Sequence, residues 1–265
     1  MKNHLKTIGV IPARWGSTRF PGKSLALICG KPLIRWVIER ALQAKTLDRV
    51  LVATDDQRIA EAARKSGAEA VMTRSDHQSG TDRVAEAVKD CPAEIIVNIQ
   101  GDEPAIDPLL IDNLVKAMRS GKEWDMATAA SPLNSAAEAE SKSICKVVFS
   151  RNGQALYFSR FPIPFVRDQT FSANKTLFWR HIGIYLYRKR FLAKFVAHPP
   201  CLLEKAEALE QLRALDIGAR IFVLKTGHCG VGVDTPADIA AAEAALKSGK
   251  KRLTAGSPSK NERGG

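Results

Sequence analysis

Through its first half the chain alternates short apolar runs with stretches whose apolar positions recur at helical spacing. Ile8, Val10 and Ile11 form a run that stops at Pro12 and Arg14 and reads as a buried strand. Behind Pro32, the positions Leu33, Ile34, Val37, Ile38 and Leu42 share one helical face, which predicts a helix over 32–44 with proline in its first turn. The pattern then predicts a strand over 49–55, a helix over 56–66 closed by Gly67, a short strand over 69–72 and a polar stretch over 73–83 leading into a helix that ends near Lys89. A strand over 94–99 and a helix over 108–120 follow. Short buried strands alternating with helices imply a parallel sheet covered on both faces.

Near residue 125 the pattern turns β-rich. Strands are expected over 126–131, 147–150 and 154–158, with Arg151-Asn152-Gly153 joining the last two as a hairpin, and again over 182–187, where small and bulky residues alternate. Pro162, Pro164 and the polar run 167–175 mark an irregular excursion between them. Helices over 189–197 and 203–214, a strand over 220–225 and an Ala-rich helix over 236–246 complete the chain, and no internal repeat is present. The expected architecture is α/β: one domain over 1–247 built on a doubly wound, mostly parallel sheet, with a β-rich insertion subdomain at 145–190.

Composition adds little until charge is considered. The 265 residues carry a formal net charge of +12, which fits nucleic acid, an anionic membrane or small anionic substrates according to where the charge lies. Lys250, Lys251, Arg252, Lys260 and Arg263 lie among Gly, Ser, Pro and Asn near the end, so residues 248–265 read as a disordered basic tail. The remaining basic residues form no stripe interleaved with aromatics, which argues against nucleic acid. Cys29, Cys91, Cys145, Cys201 and Cys229 are widely spaced and form no zinc or disulfide pattern, pointing to a reducing compartment. No signal peptide or membrane span is expected.

Candidate chemistry sits where strands end. The first strand opens into Arg14-Trp15-Gly16-Ser17-Thr18-Arg19-Phe20-Pro21-Gly22-Lys23, which is neither a Walker A nor a dinucleotide glycine motif. Its small residues let backbone N–H groups approach a phosphate, and Arg14, Arg19 and Lys23 supply countercharge; the alternative is a solvated basic loop. The strand over 94–99 runs into Gln100-Gly101-Asp102-Glu103-Pro104. Here Asp102 is either a ligand for Mg²⁺, a hard cation that takes one or two protein carboxylates plus phosphate oxygens, or a turn residue. Asp234, before Thr235-Pro236, is either a second such ligand or a capping group, a role that Asp238 can share.

Seven strings occur in order: I-P-A-R-x-x-S-T-R-x-P-G-K at 11–23, D-H-Q-S-G-T-D-R at 76–83, V-N-I-Q-G-D-E-P at 97–104, A-L-Y-F-S-R at 155–160, R-H-I-G-I-Y at 180–185, L-E-Q-L-R at 209–213 and G-V-D-T-P at 232–236. Together they resemble the 3-deoxy-manno-octulosonate (Kdo) cytidylyltransferases across residues 7–247. The chain departs from them at Ser24, at Ala237, before Gly232 and in its tail. The resemblance implies a Rossmann-like nucleotidyltransferase fold and transfer of CMP from CTP to the anomeric hydroxyl of Kdo for lipopolysaccharide biosynthesis, releasing pyrophosphate. It implies a cytoplasmic homodimer joined through 145–190, with Mg²⁺ as cofactor. By the same resemblance, Pro12, Ala13, Arg14, Ser17, Lys23, Arg74, Ser79 and Gly80 bind CTP, and Arg14, Lys23, Asp102 and Asp234 are catalytic, the two aspartates holding metal. Gln100, Arg160, His181, Tyr185, Glu210 and Gln211 surround the sugar. His77 reads as an ordinary loop residue, and the tryptophans as core or interface. Related readings within the same chemistry take 8-amino-Kdo or sialic acid in place of Kdo; the Ser17-Thr18-Arg19 run and the 76–83 string favour Kdo over sialic acid.

Overall fold

The structure is a computed structural model describing residues 6–17, 19–120, 124–167 and 177–255, with side chains as far as residue 247. In chain order its elements are β1 (Thr7–Ala13), β2 (Leu27–Ile28), β3 (Lys31–Pro32), α1 (Leu33–Ala41), β4 (Arg49–Thr54), α2 (Gln57–Lys65), β5 (Glu69–Met72), α3 (Gly80–Ala87), β6 (Ile95–Asn98) and α4 (Pro108–Arg119). There follow β7 (Met126–Pro132), α5 (Ala136–Glu140), β8 (Lys146–Phe149), β9 (Ala155–Ser159), β10 (Trp179–Arg188), α6 (Lys189–Ala197), α7 (Leu202–Glu207), α8 (Gln211–Asp216), β11 (Ile221–Lys225) and α9 (Ile239–Ala255).

β1 sits near the middle of a nine-stranded sheet ordered β11-β7-β10-β6-β1-β4-β5, with β8 and β9 branching from β10. It pairs in parallel with β4 on one side and β6 on the other. The chain therefore builds outward from β1 through β4 to β5 and then returns to the opposite flank of β1. The reversal places a topological switch point between the carboxyl ends of β1 and β6, where open α/β sheets bind ligands.

Alternation along β1 feeds two cores. Ile11 and Ala13 join α1, α2 and α4 on one face, whereas Ile8 and Val10 join α3, α6 and α8 on the other. A third, smaller cluster packs Val233, Ala242 and Leu246 against Ile28, Leu33 and Trp36. This last contact docks the C-terminal segment onto the loop after β1 and so delivers Asp234 to the phosphate-loop side of the sheet.

Three features differ from the sequence-based expectation. The strand expected over 182–187 spans Trp179–Arg188 and lies inside the main sheet, antiparallel to β6 and β7. The β8–β9 hairpin pairs with it, so the β-rich stretch expected as an insertion is joined to the core sheet through β10. A period-two pattern reports that a strand has two faces but not which strands it pairs with. The single helix expected over 203–214 is instead α7 and α8, broken at Ala208, whose φ of 52° is left-handed. Arg160 takes the Glu207 carbonyl through Nε at 2.7 Å and the Ala208 carbonyl through Nη2 at 3.3 Å, a tertiary contact at the break that local propensity does not report. Finally, α9 continues to Ala255, into the stretch read as tail. Most of the irregular excursion over 167–175, Thr18 of the phosphate loop, and residues 256–265 lie outside the described residues.

Candidate active site

At the switch point the loops after β1 and β6 enclose a cavity of about 380 Å³. Pro12, Ala13, Arg14, Ser17 and Lys23 line it from the first loop, Ser79 and Gly80 from the start of α3, and Gln100 and Asp102 from the loop after β6. The approach of the two loops is close: a Cβ on Gly101 would lie 2.8 Å from the Pro12 carbonyl oxygen. Ser79 caps α3 in a reciprocal capping box with Asp82, which points the first turn of that helix at the cavity. Behind it, buried Arg83 bonds the Asp55 carboxylate at 2.8 Å and the Thr73 hydroxyl at 2.6 Å, tying the 73–83 stretch to the end of β4.

The two aspartates that are far apart in sequence meet here. The Lys23 ammonium donates to Asp102 Oδ2 at 2.9 Å and to Asp234 Oδ1 at 3.2 Å, and Arg19 reaches Asp234 Oδ2 at 3.2 Å. The Val233 N–H donates to the Asp102 carbonyl at 2.9 Å and holds the two segments in register. Capping falls to Asp238 rather than Asp234, since Asp238 Oδ2 accepts from the N–H groups of Asp234 and Thr235 and from the Thr235 hydroxyl. The Asp234 carboxylate is thereby left to face the cavity. Among the described residues no three His, Cys, Asp or Glu side chains form a metal-binding group. Two carboxylates with a cation lodged between them suit a hard divalent ion that completes its shell with phosphate oxygens and water.

A second cavity, of about 600 Å³, adjoins the first, and Gly80, Gln100, Asp102, Glu210 and Asp234 line both. Its far wall carries Arg160, His181, Tyr185 and Gln211. The residues are held as a set. Tyr185 OH donates to Gln211 Oε1 at 3.3 Å, and the Thr81 hydroxyl donates to Glu210 Oε2 at 2.7 Å. Arg160 is anchored by the carbonyls of Glu207, Ala208 and Lys142. The His181 ring contacts Phe158 and Tyr185, with Nε2 2.9 Å from the Thr128 hydroxyl. Burial holds its imidazole down at about 3, so it is neutral at physiological pH. Burial raises the Glu210 carboxyl, and burial together with the Asp102 charge raises Glu103 to about 7.

The family model described as "Cytidylyltransferase" matches residues 8–221. A 3-deoxy-manno-octulosonate cytidylyltransferase of Trichlorobacter lovleyi is 44% identical over 252 residues, spanning 92% of this chain and 100% of its own. One from Syntrophobacter fumaroxidans is 49% identical over 240 residues, spanning 89% and 95%. This chain belongs to the 3-deoxy-manno-octulosonate cytidylyltransferase family. A solved structure of CMP:2-keto-3-deoxy-manno-octonic acid synthetase complexed with CTP superposes with a TM-score of 0.86 at 43% identity, covering 92% of this chain and 99% of that one. The nucleotidyltransferase fold and the cytidylyltransferase class follow.

Of the residues expected to bind CTP, Arg74 sits beside the 380 Å³ cavity rather than in its lining. It lines an adjoining groove along α3 and α6 that shares His77 and Gln78 with the cavity, and there it is exposed and pairs with Asp76 at 3.1 Å. It follows β5, two strands farther from the switch point than β1, which Arg14 follows, and sequence order does not reveal that offset. His77, read as an ordinary loop residue, lies in a loop and also lines the 380 Å³ cavity, where it is bonded to Glu86. Sequence reasoning also passed over Glu103 and Arg180, which line the second cavity. Both lie within the motif strings, beside Asp102 and His181, so the signal was adjacency to residues already singled out. Arg180 pairs with Glu138 at 2.9 Å, a partner supplied by the unpredicted helix α5.

Proposed function

We propose that this protein transfers CMP from CTP to the anomeric hydroxyl of Kdo, releasing pyrophosphate, and that CMP-Kdo made in this way serves lipopolysaccharide synthesis in the cytoplasm. The observation that carries the reading is the pair of adjoining cavities with a shared boundary at Gln100, Asp102, Glu210 and Asp234. One cavity is basic at its loop and suits a triphosphate, and the other is lined by carboxamide, carboxylate, phenol and imidazole groups that suit a polyhydroxylated acid. An in-line displacement needs this adjacency: the sugar oxygen attacks the α-phosphorus from one side while the bond to pyrophosphate breaks on the other.

Each residue then has a role that its placement supports. Arg14 and Ser17 meet the triphosphate from the loop after β1, with the Pro12-Ala13 backbone and the start of α3 at Ser79 and Gly80 bounding the nucleotide. Lys23 supplies positive charge between the two aspartates and the phosphates. Asp102 and Asp234 would hold Mg²⁺, which on binding neutralises phosphate charge and orients the reacting oxygens. Arg160, its guanidinium oriented by three carbonyls, meets the sugar carboxylate, while Gln100, His181, Tyr185, Glu210 and Gln211 bond its hydroxyls. The Leu156, Phe161 and Phe165 side chains, 59%, 71% and 87% exposed beside the β8–β9 hairpin, would be covered in a homodimer joined through the 145–190 stretch. Among the described residues no helix is long and apolar enough to cross a membrane.

The decisive experiment measures pyrophosphate release from CTP and Mg²⁺ with Kdo, 8-amino-Kdo and sialic acid supplied separately. Kdo is expected to give the highest kcat/KM. Turnover with sialic acid alone, or none with any of the three, would overturn the reading.

A further inference from the structure

β10 breaks its pairing with β7 beside the sugar chamber. Ile182 faces Ala129 and Leu186 faces Ala127, so residues 183–185 of β10 stand opposite the single residue Thr128. A bulge of this kind removes ladder partners from the strand that carries it, and the buried carbonyls there must find other donors. Thr128, fully buried, answers that need: its hydroxyl oxygen is 2.8 Å from the Ile184 carbonyl oxygen and 3.1 Å from that of Ile182. The same oxygen lies 2.9 Å from His181 Nε2.

These three contacts constrain one another. A hydroxyl has a single proton, and a carbonyl oxygen can only accept, so the Thr128 proton goes to the bulge. The lone pairs of Oγ1 then face His181 Nε2, which satisfies them only if it carries a hydrogen. A neutral imidazole has one N–H, so Nδ1 is left as an acceptor. No described residue hydrogen-bonds Nδ1, and the ring lines the 600 Å³ chamber. The burial that keeps the imidazole uncharged excludes the doubly protonated form.

We propose that the Thr128 hydroxyl fixes His181 in its Nε2–H form and thereby presents Nδ1 to the sugar chamber as an acceptor for a sugar hydroxyl. Thr128 is a positioning residue: it acts through His181 and through the bulge, without lining the chamber. The sugar partner rests on the function proposed above, whereas the tautomer does not. The arrangement assigns His181 the role of a fixed acceptor and excludes it as a proton shuttle, because its only N–H is committed to Thr128.

The test uses protein with 15N-labelled histidine rings, with the His181 signals identified by their loss in His181→Gln. Long-range 1H–15N spectra of the free wild-type protein should give His181 a protonated-type Nε2 and an unprotonated-type Nδ1, unchanged from neutral pH to pH 5. Thr128→Val should shift both nitrogens toward averaged values and raise KM for Kdo by about tenfold, the scale of one lost buried hydrogen bond, with KM for CTP unaltered. Thr128→Ser, which keeps the hydroxyl, should restore both. A protonated Nδ1 in the wild type, or wild-type ring shifts in folded Thr128→Val, would overturn the proposal. If the wild type turned over no Kdo, the function assigned above would fall, and the ring shifts would still decide the tautomer.

Discussion

Asp102 and Asp234 are separated by more than a hundred residues, yet they share one lysine, and their value to the site lies in that convergence. Replacing either by Asn keeps the shape and removes a charge that would hold the metal. Asp102→Asn and Asp234→Asn are therefore expected to lower turnover by about two orders of magnitude or more with little change in melting temperature. Mg²⁺-dependent kinetics alongside thermal melts decide this, and near-normal turnover by a folded variant would remove that residue from the metal site. His181 makes a second residue-scale statement, about stability. Its pKa falls from 6.5 unfolded to about 3 folded, so the unfolded chain binds more protons between those values. Its contribution is complete above pH 6.5 and is lost as pH falls toward about 3, steepening the stability profile by up to about 1.4 kcal/mol per pH unit. Urea unfolding across that range should give His181→Gln a flatter profile than the wild type. Parallel profiles would mean that the ring gains its proton without unfolding.

Among elements, the informative place is the junction of β1 and β6. Their apolar runs and terminating residues are readable from the sequence because a buried parallel strand must be apolar on both faces and must stop where polar loop groups begin. What the runs do not convey is how closely the two following loops approach. Gly101 leaves no room for a side chain against the Pro12 carbonyl, so Gly101→Ala should spread the nucleotide cavity. The expected cost is about 1–3 kcal/mol of stability and about a tenfold loss of CTP affinity. Calorimetric CTP titration with a thermal melt checks both, and wild-type CTP affinity in the variant would show that the gap tolerates a methyl group. The broken helix at Ala208 and the extended β10 carry the same lesson. Local propensity favours one continuous helix over 203–214, but Arg160, about fifty residues earlier, draws on the Glu207 and Ala208 carbonyls at the break.

For the whole molecule, the exposed Phe161 and Phe165 beside the β8–β9 hairpin predict a particle of twice the 28.9 kDa chain mass, and Phe165→Asp should shift it toward the monomer. Light scattering over a range of concentrations tests both; a wild-type mass near 28.9 kDa throughout would count against assembly through this face. The sequence by itself determined the α/β class, most element positions, the strand-end loops and the family, because periodicity, breakers and motif strings are local properties that a one-dimensional pattern carries. Tertiary structure alone decided that β10 runs antiparallel inside the main sheet, that Asp234 faces Lys23 while Asp238 takes the cap, and that Arg74 lines the groove beside the nucleotide cavity. The role proposed for Thr128 likewise rests on tertiary contact, its buried hydroxyl meeting the His181 ring of the neighbouring strand. Each of these depends on which segments pair and at what register, and pairing is fixed by the packing of distant surfaces against one another rather than by any residue's neighbours in the chain.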